Sequence, residues 1–243
     1  MLSETLAEYS ALMVMKQKYG SDNMHRFLKH ELDQYLRGRA GEIRKERPVV
    51  LVQNEPYVWY QKGGQVMYTL ADYIGEDKLN LALRNFLTQY RYANANDSQS
   101  GPYPDTREFV DSLRTQTPPG LQYYITDSFE SIVLYDNKAV TATVTQTSDK
   151  KYKVILTVQT RKLKSDGSGN ETPMALSDYI DIGVFTGKKD EEKPLYLKKE
   201  KITQANQIFE IVVDQMPTRA GIDPYNKLID RIPDDNTIDI VRQ

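Results

Sequence analysis

The chain has 243 residues, enough for one large domain or two ordinary domains that each bury a core. Its 32 Lys and Arg against 34 Asp and Glu leave a formal net charge of −2, which gives no electrostatic reason to expect nucleic acid as a partner. The absence of cysteine excludes disulfides, and no apolar run approaches the roughly 20 residues that cross a bilayer, so we expect the chain as given to be soluble.

The first 130 residues carry apolar side chains at helical spacing. Gly20 followed by Ser21 and Asp22 predicts the end of one helix and the N-cap of the next. A charged, glycine-containing break is predicted at residues 37–48, followed by an extended or loop segment at 48–60. The predicted helices cover residues around 6–14, around 24–36, 60–73, 77–90, a segment that opens at 106, and 121–129.

Beyond residue 130 the pattern changes to alternation of polar with apolar or β-branched side chains, which predicts strands. Six or seven short strands are predicted, at 132–134, 141–147, 152–160, 178–185, 195–202 and 207–213. The last segment, 217–243, is rich in Asp, Pro and Asn and is expected to pack irregularly along the strands. The chain is therefore predicted to be α+β, with a helical domain at 1–130 and a small antiparallel β-sandwich at 131–243.

Two short motifs lie within the helical half. Glu4 stands in the first turn of the first predicted helix, in Ser-Glu-Thr-Leu-Ala-Glu-Tyr at residues 3–9. Tyr60 opens Tyr-Gln-Lys-Gly, and Gly63 and Gly64 follow inside a predicted helix. Each glycine costs about 1 kcal/mol relative to alanine in a helix interior, which favours close packing or approach to a ligand at this point.

The Glu4 motif resembles the element that carries the third zinc ligand of the aminopeptidase N family of gluzincin metallopeptidases, usually Asn-Glu-Gly-Phe-Ala. The Tyr60 motif resembles the Tyr-x-Lys-Gly element of the same family. Residues 9–15, 73–78 and 221–231 are similar to bacterial members that are fused behind an ABC-type permease, so the resemblance covers nearly the whole chain. Thr5 and Leu6 stand where the family usually has glycine and an aromatic residue.

The resemblance implies that the helical half is part of a thermolysin-like catalytic domain. It implies Glu4 as a zinc ligand and Tyr60 as the hydroxyl that donates to the oxyanion of the tetrahedral intermediate. Two zinc histidines and a general-base glutamate would lie upstream, in an H-E-x-x-H helix of a longer parent. That parent would use Zn²⁺ to remove N-terminal residues from peptide substrates, whereas this chain by itself is expected neither to bind zinc tightly nor to hydrolyse peptides.

The same resemblance implies a membrane-anchored parent whose upstream permease part is a partner of this region, with this region outside the cytoplasm. A helical half that lacks the segment against which it normally packs is expected to expose an apolar face. Formation of a homodimer through that face is a further expectation.

Each site residue also has an interpretation without a role in catalysis. Glu4 could be an acid favoured by the helix dipole, with Thr5 and Glu8 forming a capping box, and Tyr60 could be one of 17 tyrosines that pack. The alternative function is therefore a non-catalytic module, linked to a membrane transporter, that binds a peptide or a partner protein. An intact H-E-x-x-H upstream would distinguish the two. A glycan-binding surface at residues 57–73 rests on aromatic composition alone.

The chain has two histidines, His25 and His30. Five residues apart on a helix, they point about 140° away from each other and so cannot jointly bind one metal ion. We expect both to be surface or packing residues.

Overall fold

We describe the protein from a computed structural model, over residues 2–91, 103–188 and 191–242. None of the helices described there is both long and apolar enough to cross a membrane. The α-helices of the described chain are α1 (Leu2–Tyr19), α2 (Met24–Gly41), α3 (Gly63–Ile74), α4 (Glu76–Gln89), α5 (Thr106–Gln116) and α6 (Gln122–Ile125). Two π-helical turns, Val58–Lys62 and Thr126–Glu130, adjoin α3 and α6.

The chain divides into two compact units. Unit 1 consists of Met1–Val14, Asp33–Ile132 and Ser165–Asn170, and unit 2 consists of Met15–Leu32, Val133–Lys164 and Glu171–Gln243. Unit 2 thus takes helical residues 15–32 together with the strands. The division of the chain into domains at residue 130 stays a prediction.

Helix α3 is the central helix of unit 1. Ten of its twelve residues are buried, which is the pattern of a helix that other elements cover on every side. It ends at Gly75, whose positive φ of 90° favours glycine, and α4 begins at the next residue. Helices α4 and α5 pack through Phe86 and Phe109, whose ring centroids are 5.2 Å apart. The core of unit 1 therefore includes the buried helix α3 and the contact between α4 and α5.

The predicted loop at 48–60 is wrong in part. Val49–Leu51 is a 3₁₀ turn, and the chain is helical from residue 56 onward. The buried Glu55 carboxylate accepts hydrogen bonds from the backbone N–H groups of Gln53 and Asn54, both at 2.9 Å, and so fixes the turn just before this helix. The predicted break at 37–48 also begins too early, because α2 continues to Gly41.

Unit 2 is built on two sheets. In the larger sheet the order is β3-β2-β1-β9, with β6 also paired to β2, and in the smaller it is β5-β4-β7-β8. The pairs β2–β6, β4–β5, β4–β7 and β7–β8 are antiparallel. The strands of the described chain are β1 (Ile132–Gln146), β2 (Tyr152–Ser165), β3 (Glu171–Pro173), β4 (Asp178–Thr186), β5 (Lys193–Ile202), β6 (Asn206–Val213), β7 (Arg219–Ile222), β8 (Thr237–Asp239) and β9 (Val241–Arg242). The predicted α+β class with antiparallel sheets is confirmed.

The expectation of irregular packing at 217–243 is wrong. This segment supplies β7 and β8 to the smaller sheet, and β9 runs parallel to β1. Its buried acids explain the misleading composition, because they accept backbone hydrogen bonds rather than face solvent. Asp223 accepts from the N–H groups of Lys227 and Leu228, and Asp230 accepts from Asn137 N–H at 2.9 Å. Polar residues thus hold the turns between short strands.

Candidate functional site

Glu4 and Tyr60, the two predicted site residues, are in contact. Glu4 lies in the first turn of α1, and Tyr60 lies at the centre of the π-helical turn that precedes α3. The Glu4 carboxylate lies close to the Tyr60 hydroxyl and is placed to accept a proton from it. This interaction, followed by partial burial and the negative charges of Glu4 and Glu8, raises the pKa of the Tyr60 hydroxyl. The hydroxyl is therefore protonated, and a hydrogen-bond donor, at neutral pH.

Close packing of α1 against the start of α3 makes this contact possible. A Cβ atom on Gly63 would overlap Thr5 Oγ1, and one on Gly64 would stand 2.6 Å from Glu8 Cγ. Only glycine allows the two backbones to approach this closely at both positions. The glycines that the sequence marked as unusual therefore serve close packing against α1.

Thr5 joins α1 to the π-helical turn. The residue is fully buried, and its Oγ1 donates to the carbonyl oxygen of Trp59 at 2.7 Å. It lies inside α1, which already includes Leu2, so Thr5 is not an N-cap and the predicted capping box with Glu8 is wrong. Thr5 instead fixes the residue before Tyr60.

Within the π-helical turn, Tyr60 is partly exposed whereas Lys62 is buried. A π-helical turn contains one more residue per hydrogen-bonded loop than an α-helix, and such turns are frequent at functional sites. Tyr60 is partly exposed, and its ring meets that of Trp59 edge-on at a centroid separation of 6.4 Å. Lys62, at the end of the same turn, is completely buried.

Sequence reasoning missed the buried partners of Lys62. Its Nζ lies 3.4 Å from Glu46 Oε1 and 3.5 Å from the Tyr35 hydroxyl. Tyr35 donates to the same Glu46 oxygen at 2.7 Å, and Arg39 forms an ion pair with the other. The one indication that Lys62 has a buried partner was its position between a partly apolar turn and the apolar helix α3. Glu46, in a loop 16 residues earlier, has no periodic relation to it.

The described residues fit one position of a zinc site. Among residues 2–91, 103–188 and 191–242, no three His, Asp or Glu side chains stand close enough to hold one metal ion. A catalytic zinc ordinarily takes three protein ligands and keeps one position open. Glu4 offers one carboxylate ligand beside a hydroxyl donor, and a zinc site built on it needs its remaining ligands from other residues.

The two histidines have other surroundings. His25 Nδ1 donates to the carbonyl oxygen of Asp22 at 2.8 Å, and the imidazole lies 5.8 Å from the Tyr225 ring. His30 is exposed. Both belong to unit 2. They occupy a packing position and a surface position, as their spacing predicts.

Comparison with known proteins identifies no family for the chain. No family model matches it, and no curated protein matches it. Among solved structures, the fold is similar to that of aminopeptidase A from Legionella pneumophila in complex with aspartic acid, with a TM-score of 0.45 and 15% sequence identity. The match covers 93% of this chain but 23% of that one. A similarity of this size identifies neither an activity nor a substrate.

Proposed function

We propose that the chain contributes Glu4 and Tyr60 to the active site of a zinc metallopeptidase of the aminopeptidase N type. Glu4 would be one carboxylate ligand of the zinc ion, and Tyr60 would donate to the oxyanion of the tetrahedral intermediate. The intact protein would remove N-terminal residues from peptides. Its H-E-x-x-H element would lie upstream of Glu4, behind a membrane-anchored permease part and with the peptidase region outside the cytoplasm.

The observation that carries this proposal is the proximity of the Tyr60 hydroxyl to the Glu4 carboxylate. The two residues are 56 positions apart and belong to separate motifs. They meet where two glycines allow close packing of α1 against α3 and where buried Thr5 bonds the residue before Tyr60. Zinc bound at Glu4 would activate a water molecule for attack on the peptide carbonyl. The protonated Tyr60 hydroxyl is suited to donate to an oxygen atom as negative charge develops on it.

A second candidate function gives the contact between Glu4 and Tyr60 a different role. In a non-catalytic module that binds a peptide or a partner protein, the Glu4–Tyr60 contact would only join α1 to the π-helical turn. Contacts between a carboxylate and a hydroxyl serve structure as well as catalysis. The two candidates differ in what the removal of each group does to zinc content and turnover.

The deciding experiment uses the longer protein that includes the helix preceding Glu4. We expect Glu4→Ala to lose stoichiometric zinc. We expect Tyr60→Phe to keep zinc and to lose about 10²- to 10³-fold in kcat for release of an N-terminal amino acid, as for other oxyanion donors. Zinc is measured by atomic emission and turnover with an aminoacyl-arylamide.

Matched controls distinguish these roles from general damage. Asp77→Ala removes another acid from the first turn of a helix, and Tyr57→Phe removes a hydroxyl that has no hydrogen-bond partner within the described residues. Both are expected to retain zinc and turnover. A longer protein that is folded, free of zinc and inactive would favour the non-catalytic module.

A further inference from the structure

A buried ionic cluster includes Lys62, which lies two residues after Tyr60 in the same π-helical turn. It consists of Lys62, Glu46, Tyr35 and Arg39, and all four belong to unit 1. Lys62 Nζ lies 5.2 Å from the centroid of the Tyr35 ring as well as 3.4 Å from Glu46. The Lys62 side chain is 0% exposed and that of Glu46 is 3% exposed. The Lys62–Glu46 pair is therefore shielded from water, whereas the Arg39 side chain is 18% exposed.

Stability alone does not account for such a cluster. Removal of two charges from water costs several kcal/mol per ion, and well-packed apolar side chains of similar volume often stabilise a fold equally well. What a buried ion pair adds is a defined geometry, because each partner accepts only one arrangement of the other. The backbone that Lys62 fixes in this way is the π-helical turn.

Tyr60 and Lys62 belong to the same five-residue turn, and each side of that turn has its own anchor. On one side, Thr5 of α1 bonds the Trp59 carbonyl oxygen at 2.7 Å. On the other, Lys62 reaches Glu46, whose own backbone N–H donates to the Gly167 carbonyl oxygen at 2.9 Å. The turn is thus held between α1 and a carboxylate that is itself fixed.

We propose that Lys62 is a positioning residue, which through its buried contact with Glu46 holds the π-helical turn so that the Tyr60 hydroxyl meets Glu4. This role rests on the proposed function, because it names what prepares Tyr60 for donation. It predicts that the contact between Tyr60 and Glu4 weakens when the Lys62 amine is removed, although Lys62 touches neither residue's functional group.

Unit 2 contains a matched cluster that serves as the control. Lys162 Nζ lies 2.7 Å from Asp178 Oδ1, and Tyr135 donates to the same oxygen at 2.9 Å. Lys162 also lies 5.9 Å from the Tyr135 ring centroid and is 6% exposed. Lys162→Met therefore removes a buried lysine with the same types of partner, but from a segment that does not carry Tyr60.

Trp59, the single tryptophan of the chain, reports on the turn itself. In Lys62→Met we expect its emission to shift to longer wavelength and its quenching by acrylamide to increase, with the far-ultraviolet circular dichroism retained. In Lys162→Met we expect both fluorescence measurements to match those of the wild type. A folded Lys62→Met protein with unchanged Trp59 emission and quenching would overturn the proposal.

A double-mutant cycle measures the contact directly. Glu4→Ala and Tyr60→Phe are measured alone and combined, and we expect their effects on the unfolding equilibrium constant to be coupled by a factor of about five. In the Lys62→Met background the factor should fall to about one, which means that the two effects are independent. A structural role alone would lower stability and leave the coupling intact. If Lys62→Met does not fold, Glu46→Gln is tested in its place, with the same expected and contrary results.

These measurements need neither zinc nor turnover, so they are separate from the test of the proposed function. Loss of coupling in Lys62→Met together with an inactive, zinc-free longer protein would uphold the positioning role and overturn the peptidase. Unchanged coupling together with peptidase activity that depends on zinc and on Tyr60 would overturn the positioning role and uphold the peptidase.

Discussion

Burial governs the chemistry of Lys62. Two causes together lower the pKa of Lys62 to about 7. Removal of its ammonium group from water is the larger cause, and the nearby positive charge of Arg39 is the smaller. The other titratable groups that face it are Tyr35 and Glu46. Between this value and the ordinary lysine pKa near 10.5, the folded chain holds fewer protons at this position than the unfolded chain.

The lowered pKa of Lys62 makes the free energy of unfolding depend on pH. Because the unfolded state binds more protons from about pH 7 to about pH 10, Lys62 contributes stability that grows as pH rises through this window and is lost as pH falls through about 7. We expect the free energy of unfolding of the wild type, minus that of Lys62→Met, to rise between pH 7 and 9 by at most about 1.4 kcal/mol per pH unit. Denaturant titrations of both proteins measure it. A constant or falling difference would contradict a buried Lys62 that loses its proton near pH 7.

At the scale of elements, the candidate site depends on the contact between α1 and the start of α3. Neither helix needs this contact in order to form, since each has its own apolar pattern. The contact needs small groups at two positions of α3 and a buried hydroxyl on α1, and these three features bring Glu4 within reach of Tyr60. Any added volume at this point should separate the two site residues.

Gly63→Ala tests that packing. The alanine gains about 1 kcal/mol of helix propensity, but its Cβ would overlap buried Thr5, and overpacking of this type costs about 1 to 3 kcal/mol. We expect a net loss of stability, and a smaller loss when Thr5→Ala removes the overlapping atoms. Gly41→Ala, at the open end of α2, is the control and should be neutral or stabilising. Thermal unfolding measures all three, and equal effects at residues 41 and 63 would refute the close approach.

At the scale of the whole molecule, the chain consists of two compact units, and both predicted site residues belong to unit 1. Within the described residues no cluster offers three ligands to a metal ion. Because a single carboxylate lacks the imidazole ligands and the general base that the proposed reaction needs, the site requires residues beyond those described.

We therefore expect the chain by itself to bind no stoichiometric zinc and to release no amino acid from peptides. Equilibrium dialysis with Zn²⁺ at micromolar concentration and an assay for free amino acids measure the two properties. Zinc-dependent turnover by these 243 residues, sensitive to Tyr60→Phe, would show that the chain holds a complete site.

Local patterns were sufficient for much of the fold. Helices before residue 130 and strands after it follow from side-chain periodicity, because each period reflects one face of one element. The end of α3 also depends on a local residue choice, since Gly75 has a positive φ that favours glycine. Glu4 and Tyr60 were named from short motifs. Their roles in zinc binding and catalysis stay predictions.

The sequence by itself determined the α+β class, the approximate positions of most elements and the two candidate residues. Only the tertiary structure decided that Thr5 bonds Trp59 rather than capping α1, that Lys62 pairs with Glu46, and that the final segment joins both sheets. The physical reason is common to all three. Each depends on which distant groups meet when the chain is packed, and a buried polar residue looks the same as a solvated one until its partner is known.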